Sequence, residues 1–520
     1  MFISMGAPAQ TPSLRRAPRA IVFAAVAFAS MLLASTIAAP AQAETLHMAI
    51  PNPPFARGNP YQAPGPAATY VMPAIFDALT VIDGQGGLHP GLALSWSSDA
   101  AARVWTFKLR PGVEFSNGAP FNAEAVVAAL DYLTKQPQAS DLVPLEFVDI
   151  ADYRAIDPLT IAISTRRPMP LLPRAASVLF VVEPETWRTL GPQAFAGAPV
   201  GTGPFRVDQW GAAGIKLSAF KKSWRAPKMD ALEILFQQES TSRLQGLLAG
   251  RIDIALALGP EDREALADRG AELRAVPIPS VTALIFLTAK AGSPFADVRV
   301  RQAVNYAVNK ERLAETFYGG DVLVSGQPAT RTALGYDPGI RPYPYDPARA
   351  KALLADAGFG NGVSFLLEAV VGSNSSDGAV YQQIAQDLAL VNVRMTVRSV
   401  PGVRFGQVFR TGAWEGEAFA YLFGAEPAFD GIRALKYYTC GWRPQMYCDP
   451  EVEPLFVAAD AAESLEARAA IAQRIMARYH DQAPGLFLFE SPRFHGVSGR
   501  ISGFSMENAR IAFESIFRSP

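Results

Sequence analysis

The sequence has few of the residues that enzymes and metal proteins most often use for chemistry. It contains 2 cysteines and 4 histidines in 520 residues, and His47, His89, His480 and His495 do not follow the spacing of a metal site. It also has no G-x-S-x-G motif, no phosphate-binding loop and no H-E-x-x-H motif. The sequence therefore gives no support to a hydrolase, a nucleotide-binding protein or a metalloprotease.

Net charge is also nearly absent, with 47 basic and 48 acidic residues. Without residues 1–43, which contain three arginines and no acid, the balance becomes 44 − 48 = −4. A weakly acidic chain offers no basic surface for nucleic acid. Because the chain is too long for one hydrophobic core, we expect two or more lobes.

One apolar run, residues 21–33, follows Arg15, Arg16 and Arg19 and precedes an A-x-A sequence at residues 41–43. The run is shorter than the roughly 20 residues that span a bilayer. The pattern predicts a cleaved signal peptide over residues 1–43, with a retained anchor as the alternative. No cysteine follows the cleavage site, so we expect a free periplasmic protein; the arginine pair leaves secretory and twin-arginine export open.

Both cysteines, Cys440 and Cys448, lie eight positions apart in a chain with an export signal. An oxidising compartment favours a local disulfide, with free thiols and a metal site as the alternatives. A metal site would need neighbouring histidines, which are missing. Loop closure predicts that this disulfide stabilises the fold by about 2.5 kcal/mol.

The strongest local pattern lies in residues 92–130. Residues 104–110 alternate with a period of two, which predicts a half-buried strand. The dipeptides at residues 111–112 (PG) and 117–118 (NG) predict turns. Asn122 follows where a helix N-cap belongs.

Taken together, this stretch resembles the signature of the family-5 extracytoplasmic solute-binding proteins, the peptide- and nickel-type receptors of bacterial ABC importers. The family's runs P-G-L-A-x-S-W, W-T-F-x-L-R-x-G-V-x-F and G-x-P-F-x-A-E-x-V are met by residues 90–96, 105–115 and 118–126. Further similar runs, at residues 298–310, 345–358 and 480–490, extend the resemblance over about residues 44–520.

The resemblance implies an α/β fold of two lobes, that of a type II periplasmic binding protein with an extra subdomain. Mixed β-sheets would be flanked by helices, and a hinge would join the lobes. The first lobe would comprise residues 44–78, 202–283 and 488–520, with a subdomain at residues 79–201, and the second lobe residues 284–487.

Local patterns predict further elements along the chain. The predicted strands are Leu46–Ile50, Leu159–Ser164, Ser177–Val182, Phe205–Trp210, Ala231–Gln237, Ile252–Ala257, Val281–Leu287, Val393–Val397 and Ala418–Phe423. The predicted helices include Tyr70–Leu79, Ser240–Leu248 and Ser464–Tyr479, one element from Asp297 to Gly319, and one from Asp346 to Gly358.

In the resembled architecture the solute lies between the lobes, and the segment before and through the cysteine pair faces that cleft. The aromatic side chains there offer apolar area, and arginine can hold a carboxylate bidentately. Each residue could instead belong to the core or the surface. The candidate ligand-binding residues are Tyr421, Phe423, Glu426, Tyr437, Tyr438, Trp442, Arg443 and Arg404.

One departure from the family pattern bears on the ligand. Members that bind free peptides commonly carry an aspartate in a W-x-x-D-Y-x-x-P-like motif, where it pairs with the ligand's amino terminus. The corresponding stretch here is AYLFGAEP at residues 420–427, and alignment on Pro427 puts Phe423 at or near that aspartate, with Glu426 within three positions. No carboxylate-binding arginine stands at residues 372–377. The sequence thus argues against a plain dipeptide receptor.

We therefore expect a periplasmic receptor that captures a peptide or peptide-like solute by lobe closure. It would be a monomer without catalytic residues, metal or cofactor, and it would deliver the solute to an inner-membrane ABC permease with its ATPase. An opine, a glycoside or a metal chelate is the alternative solute. A periplasmic hydrolase and a receptor-derived chaperone or sensor partner are the alternative classes; the hydrolase would need a nucleophile–base pair in the cleft, which no spacing indicates.

Overall fold

The computed structural model describes residues 44–519, except residues 63–65, 138–140, 142, 372–376 and 508–509. The predicted signal peptide, residues 1–43, lies outside the described residues, as do residues 372–376 of the segment without a carboxylate-binding arginine. Of the helices within the described part, none has both the length and the apolar character that crossing a membrane requires.

The structure contains most of the predicted strands, together with several short strands that were not predicted. In chain order they are β1 (Thr45–Ile50), β2 (Thr80–Ile82), β3 (Leu88–Pro90), β4 (Ala93–Ser98), β5 (Val104–Leu109), β6 (Ile150–Asp157), β7 (Thr160–Thr165), β8 (Phe205–Trp210), β9 (Gly214–Ala219), β10 (Ala231–Phe236), β11 (Ile254–Leu258), β12 (Ala271–Phe286), β13 (Leu323–Val324), β14 (Val363–Ala369), β15 (Val393–Ser399), β16 (Ala418–Gly424), β17 (Gly485–Ser498), β18 (Ile501–Ser502), β19 (Met506–Glu507), β20 (Arg510–Ile511) and β21 (Phe517–Arg518).

Helices flank these strands. In chain order they are α1 (Pro66–Ile75), α2 (Ala123–Lys135), α3 (Leu172–Ala175), α4 (Pro184–Phe195), α5 (Ser240–Leu248), α6 (Arg263–Ala267), α7 (Val298–Ala307), α8 (Lys310–Tyr318), α9 (Pro347–Asp356), α10 (Asp377–Ala389), α11 (Gly402–Thr411), α12 (Glu453–Asp460) and α13 (Leu465–Gln482).

The main sheet is mixed and has 11 strands, in the order β15-β14-β16-β12-β17-β11-β1-β10-β9-β8, with β13 paired to β17. Strand β1 is parallel to β10 and β11, and β14 is parallel to β15 and β16. Strands β12 and β17 are antiparallel to each other and to their other partners. A mixed sheet flanked by helices confirms the predicted fold class.

Two long strands, β12 and β17, belong to both halves of this sheet. Residues 271–277 of β12 pair with residues 492–498 of β17, beside β11, and residues 281–285 pair with residues 485–490, beside β16. We call the part built on β1 and β8–β11 the first lobe and the part built on β13–β16 the second lobe. The two lobes are thus joined through one antiparallel ladder.

A separate sheet of four antiparallel strands has the order β4-β5-β7-β6. We call it the subdomain, together with the β2–β3 hairpin and helices α2–α4. Strand β5 confirms the alternation predicted in the signature, since Phe107 and Leu109 are buried whereas Val104 and Lys108 are exposed. Asn122 caps α2, as predicted, by accepting a hydrogen bond from the Ala125 amide at 3.2 Å.

Predicted helix starts are confirmed by side-chain caps. The carboxylates of Asp297 and Asp346 accept hydrogen bonds from backbone amides in the first turns of α7 and α9, and the Ser464 hydroxyl does the same for α13. The single element predicted from Asp297 to Gly319 is wrong: the extended backbone of Val308 (φ −100°, ψ 124°) separates α7 from α8, and Asn309 caps α8.

Some other predicted elements are also corrected. The predicted strand Ser177–Val182 is a short 3-10 helix, Ala176–Val178, followed by one isolated bridge between Phe180 and Ala78. The predicted strand Val281–Leu287 is the last part of β12, which begins ten residues earlier, at Ala271. Prolines at positions 277 and 279 interrupt the strand pattern there, because proline lacks the backbone donor of a ladder.

The end of β12 shows why its sequence is apolar without alternation. Val281, Ala283 and Ile285 pack in the hydrophobic cluster on one face of the second lobe, and Leu284 and Phe286 pack in the cluster on the other face. A strand that is buried on both faces reads as a continuous hydrophobic run. The end of β12 therefore lies at the centre of the second lobe, next to the hinge.

Candidate functional site

The hinge ladder changes register where it passes from one lobe to the other. Pro277 of β12 lies opposite Pro492 of β17, but Val281 lies opposite Glu490, so three residues of β12 face one residue of β17. Such a bulge bends a strand and raises its twist. The hydroxyls of Thr282 and Ser491 are hydrogen-bonded at this point. Both cavities described below open beside this break.

The larger cavity, of about 570 Å³, lies at the carboxyl ends of the parallel strands β1, β10 and β11. In open α/β sheets this edge is the usual place of a ligand. Its wall combines residues of both lobes and of the hinge. They are Pro51, Asn52, Ala67, Tyr70, Gln238, Glu239, Ser240, Arg243, Ala257, Leu258, Gly259, Pro260, Thr282, Tyr318, Val322, Phe489, Ser491, Pro492, Arg493 and Phe494.

Arg243 of α5 organises one side of this wall. Its guanidinium is buried and donates to four carbonyl oxygens, those of Leu256 at 2.8 Å, Gln237 at 2.7 Å, Gln238 at 2.7 Å and Ala257 at 2.5 Å. These bonds hold the ends of β10 and β11 together. Because its donors are used in this way, Arg243 is a structural residue of the cavity.

The smaller cavity, of about 290 Å³, lies between the first lobe with its subdomain and the loop that follows β16. Its wall carries more charged groups than the larger one. They are Pro60, Ala68, Thr69, Met72, Pro73, Phe76, Asp77, Ala78, Thr80, Val81, Ile82, Gly91, Val143, Glu146, Ser177, Val178, Phe180, Gly424, Glu426, Pro427, Arg433, Arg493 and Arg510.

Glu426 is the acidic group of this cavity that lacks a partner. The Ala425 amide donates to the Pro279 carbonyl at 2.8 Å, which anchors the loop to the hinge strand. No hydrogen bond or ion pair joins the Glu426 carboxylate to any described residue. Burial raises the pKa of Glu426, and the positive charges of Arg493 and Arg433 oppose this shift. The cavity therefore contains a carboxyl group that has two arginines nearby but no hydrogen bond or ion pair in the described chain.

Arg493 of β17 lines both cavities. Its guanidinium lies 5.9 Å from the centre of the Tyr70 ring, and its Nη1 is buried without a hydrogen-bond partner among the described residues. Burial raises the pKa of the Tyr70 hydroxyl, while the charge of Arg493 and a hydrogen bond to it act in the opposite direction. Arg493 is therefore held against Tyr70 while one of its donor atoms has no partner among the described residues.

Several contacts join the subdomain to the second lobe at the rim of the smaller cavity. Arg433 is bonded to Glu146, and Arg174 donates from Nε to the Ala428 carbonyl at 2.5 Å. A Cβ added to Gly86 would lie 2.4 Å from the carbonyl oxygen of Thr332. The structure is thus a conformation in which the cleft is closed on this side.

The imidazole of His495 is fully buried in β17. Its Nδ1 accepts a hydrogen bond from the Ala257 amide at 3.2 Å. Burial, together with the charge of Arg493, lowers the pKa of His495 to about 3. Through this hydrogen bond, the neutral imidazole of His495 holds the bulged end of β11 in place. No histidine lines either of the two cavities in the described chain.

Of the residues predicted from sequence to bind the ligand, the structure places Glu426 on a cavity wall. Phe423 and Tyr438 are buried in the core of the second lobe. Tyr421 and Tyr437 are partly buried next to that core. Burial raises the pKa of Tyr421, and the charge of Arg433 opposes this shift. The contact of these aromatic residues with a solute stays a prediction.

The remaining predicted residues lie away from the two cavity walls. Arg404 pairs with Glu415 at 3.1 Å on the surface. Trp442 packs edge-on against Tyr437 with ring centres 4.8 Å apart, and Arg443 donates from Nη1 to the carbonyls of Cys440 and Trp442. Their assignment as ligand-binding residues stays a prediction. Sequence reasoning missed Arg493, because it lies 67 positions after Glu426 and no local pattern marks it.

The disulfide between Cys440 and Cys448 is present, as predicted. It closes the loop that follows the 3-10 helix Ala434–Tyr438, and the Cys440 amide donates to Glu453 at 2.8 Å. Within the described residues, no group of three or more His, Cys, Asp or Glu side chains could hold a metal ion.

The comparisons with known proteins agree with this geometry. Residues 87–428 match the family described as bacterial extracellular solute-binding proteins, family 5 Middle. The chain is similar to the glutathione-binding protein GsiB of Shigella boydii serotype 4, with 28% identity over 416 residues, which cover 77% of this chain and 76% of GsiB.

Two solved structures show the same fold. One is the periplasmic binding protein DppA of Helicobacter pylori in complex with the peptide STSA, with a TM-score of 0.74, 22% identity and coverage of 91% of this chain and 98% of that one. The other is NikA of Brucella suis in complex with Fe(III)-EDTA, with a TM-score of 0.79, 21% identity and coverage of 91% and 100%. These likenesses confirm the two-lobe architecture.

Proposed function

The chain belongs to family 5 of the bacterial extracellular solute-binding proteins, and we propose that its solute is a small peptide-like compound with a free amino group. The solute would lie between the lobes, with its ammonium on the Glu426 carboxylate. The observation that carries this proposal is that Glu426 lines the smaller cavity without a partner in the described chain. The receptor would deliver its solute to an inner-membrane ABC permease with its ATPase.

The electrostatics of the cavity support an amine. A carboxylate that leaves bulk water is unfavourable unless a cation or hydrogen-bond donors compensate for the lost hydration. Arg433 is already bonded to Glu146, and Arg493 forms no ion pair with Glu426. An ionised carboxylate accepts hydrogen bonds only, so it favours a ligand group that donates. A primary ammonium has the required charge and donors.

The ligands of two relatives belong to the same class. GsiB is named for glutathione, and DppA was bound to a peptide. NikA was bound to Fe(III)-EDTA, which makes a metal chelate the second candidate. The free Nη1 of Arg493 favours that candidate in one respect, since a guanidinium can hold an anionic chelate. The unpartnered Glu426 favours the amine.

We propose no reaction at this site. Ser491 is bonded to Thr282, and His495 is buried and neutral, so neither forms part of a nucleophile–base pair in the described cavity walls. The task of the cleft is instead to bind more tightly when closed than when open. A solute can shift the lobes toward closure only by that difference in affinity.

The proposal includes the organisation expected from the sequence. The first lobe would comprise residues 44–78, 202–283 and 488–520, the subdomain residues 79–201, and the second lobe residues 284–487. A signal peptide at residues 1–43 would be cleaved on export, and the mature protein would work as a periplasmic monomer. The β12–β17 ladder, which crosses between the lobes at its register break, supports the placement of the hinge.

The test uses the mature chain, refolded to remove any bound solute. Native mass spectrometry and calorimetry would measure the binding of an equimolar set of di- to tetrapeptides and of the same set with acetylated amino termini. We expect binding of the free amines, loss of binding after acetylation, and a decrease of about 30-fold or more in affinity for Glu426→Gln.

The matched control is Glu185→Gln, which removes an exposed carboxylate of α4 that is paired with Arg188. This variant should bind like the wild type. Equal affinity of Glu426→Gln and wild type for the free amines, or equal binding of the acetylated set, would overturn the proposed role of Glu426.

A further inference from the structure

Two oppositely charged residues line the smaller cavity without forming an ion pair with each other. Glu426 and Arg493 both line it, and no ion pair joins them. The loop of Glu426 is tied to β12 through the Ala425–Pro279 hydrogen bond, and Arg493 is held on β17 against Tyr70. The Glu426 side chain, on the loop after β16, and the Arg493 side chain, on β17, are therefore anchored independently of each other.

One guanidinium nitrogen of Arg493 lacks a hydrogen-bond partner in the described chain. Nη1 is buried and has no partner among the described residues, although the same guanidinium lies against the Tyr70 ring. Leaving a buried donor unsatisfied is unfavourable. A ligand carboxylate would accept from this donor in a charge-assisted hydrogen bond.

We propose that the solute presents an α-amino acid head group to these two side chains, with its ammonium on Glu426 and its α-carboxylate on Arg493, and that the rest of the solute is attached through the side chain. This inference rests on the proposed function and narrows its ligand class. An ordinary peptide lacks this head group, because its first residue has an amide in place of the α-carboxylate. A γ-glutamyl compound has it.

The larger cavity gives room for the rest of such a solute. Arg493 belongs to both walls, so the larger cavity is adjacent to the proposed position of the carboxylate, and we expect the rest of the solute to lie on that side. The larger wall offers the hydroxyls of Thr282 and Ser491 and the ring of Tyr318. Arg243 has its donors on four backbone carbonyls, so this wall provides no second guanidinium for another anion. We therefore expect that the part of the solute beyond the head group needs no anionic group and can be polar or apolar.

Calorimetry with γ-glutamylalanine, its isomer α-glutamylalanine, the α-amide of the first compound and its N-acetyl derivative tests the inference. The first two compounds have the same atoms and the same net charge, and the α-amide lacks only the head-group carboxylate. We expect the wild type to bind γ-glutamylalanine about tenfold or more tightly than either the isomer or the α-amide. Arg493→Gln should remove this preference, whereas the control Arg188→Gln, which changes an exposed arginine of α4, should keep it.

The outcomes separate this inference from the proposed function. Loss of binding on acetylation together with equal affinity for γ-glutamylalanine and its α-amide would overturn the head group and leave the amine site. A preference that persists in Arg493→Gln would overturn the role of that arginine. No binding of these compounds or of the free peptides would overturn both proposals. Circular dichroism of Arg493→Gln would establish that it is folded before its affinities are compared.

Discussion

Arg433 of the second lobe donates a hydrogen bond to the carboxylate of Glu146 in the subdomain, across the rim of the smaller cavity. The two residues are 287 positions apart in the chain, so the contact depends on how the lobes meet. Both side chains are partly exposed, at 36% and 17%, which limits the strength of the pair. The pair joins the subdomain to the second lobe in this closed arrangement, and we expect it to break when the cleft opens.

We therefore predict that Arg433→Gln weakens solute binding by about two- to fivefold, the effect of losing up to about 1 kcal/mol from the closed state. Because the contact forms on closure, the change should appear mainly as faster dissociation. Stopped-flow fluorescence of Arg433→Gln, Glu146→Gln and the double variant measures it. Additive effects of the two single changes would contradict a direct interaction between the residues.

Gly86 gives a stronger test of closure. Its φ is +79°, and an added Cβ would lie 2.4 Å from the Thr332 carbonyl of the second lobe. Gly86→Ala should lower solute affinity by about tenfold or more, since the closed cleft leaves no space for the methyl group. Gly118→Ala is the control for backbone strain alone, because Gly118 also has a positive φ, +88°, but an added Cβ there would have no atom within 4 Å. Equal affinities of the two variants in calorimetry would mean that the cleft closes differently.

Lys310 makes stability depend on pH. It is buried, donates to the Asn305 amide oxygen at 3.3 Å, and has its pKa lowered by burial to about 7. An unfolded chain keeps a lysine pKa near 10.4, so it binds more protons than the folded chain between these values. The free energy of unfolding should therefore rise from pH 7 toward pH 10, by up to about 1.4 kcal/mol per pH unit from this group.

Urea unfolding at pH 7, 8 and 9 measures this dependence. Lys310→Met should be more stable than the wild type at pH 7 and should show a flatter rise with pH. Lys351→Met, on the exposed face of α9, is the control and should keep the wild-type slope. The same slope in Lys310→Met and wild type would show that Lys310 is not the group responsible.

Glu426 should oppose stability while it supports binding. Burial raises its pKa in the folded state, so the folded chain binds the extra proton at a higher pH than the unfolded chain does. Its contribution to stability is present below the ordinary glutamate pKa and is lost as pH rises through the raised value. Glu426→Gln should thus raise the melting temperature of the solute-free protein at neutral pH, as seen by scanning calorimetry, even though it weakens binding. A lower melting temperature would argue for a structural role.

The disulfide should contribute measurably to stability. Its two cysteines are 8 positions apart, and the chain-entropy argument for a loop of that size gives about 2.5 kcal/mol. Replacing both cysteines by serine should lower the free energy of unfolding by about that amount in urea titration. The solute affinity should change little, because neither cysteine lines the described cavities. A large loss of affinity with little loss of stability would place the loop in the binding site.

The sequence predicted the elements whose signals are local. The alternation of β5, the caps at Asn122, Asp297 and Asp346, and the paired cysteines each depend on a few neighbouring residues, and each is present. The length of β12 was not predictable in the same way. The proline-containing middle of β12 has a sequence typical of a loop, and only the structure shows that the strand pairs with β17 on both sides of it.

The cavity walls were harder to predict for a related reason. Glu426 and Arg493 come together because β16 and β17 pair with opposite sides of β12, and nothing in either local sequence shows that arrangement. Phe423 lies on the core side of β16, whereas Glu426 follows the strand at the point where the chain turns toward the cavity. An aromatic residue near the cleft in sequence can therefore lie in the core.

Strands β12 and β17 stay paired on both sides of the break at Pro277 and Pro492. Because this shared ladder joins the lobes, we expect them to move mainly by bending at the break, so a permease in contact with both lobes would sense one variable, the angle between them. Two solutes that close the lobes to the same angle would be indistinguishable to the permease. Exchanging side chains in the cleft could then redirect the importer to a new compound with its membrane components unchanged.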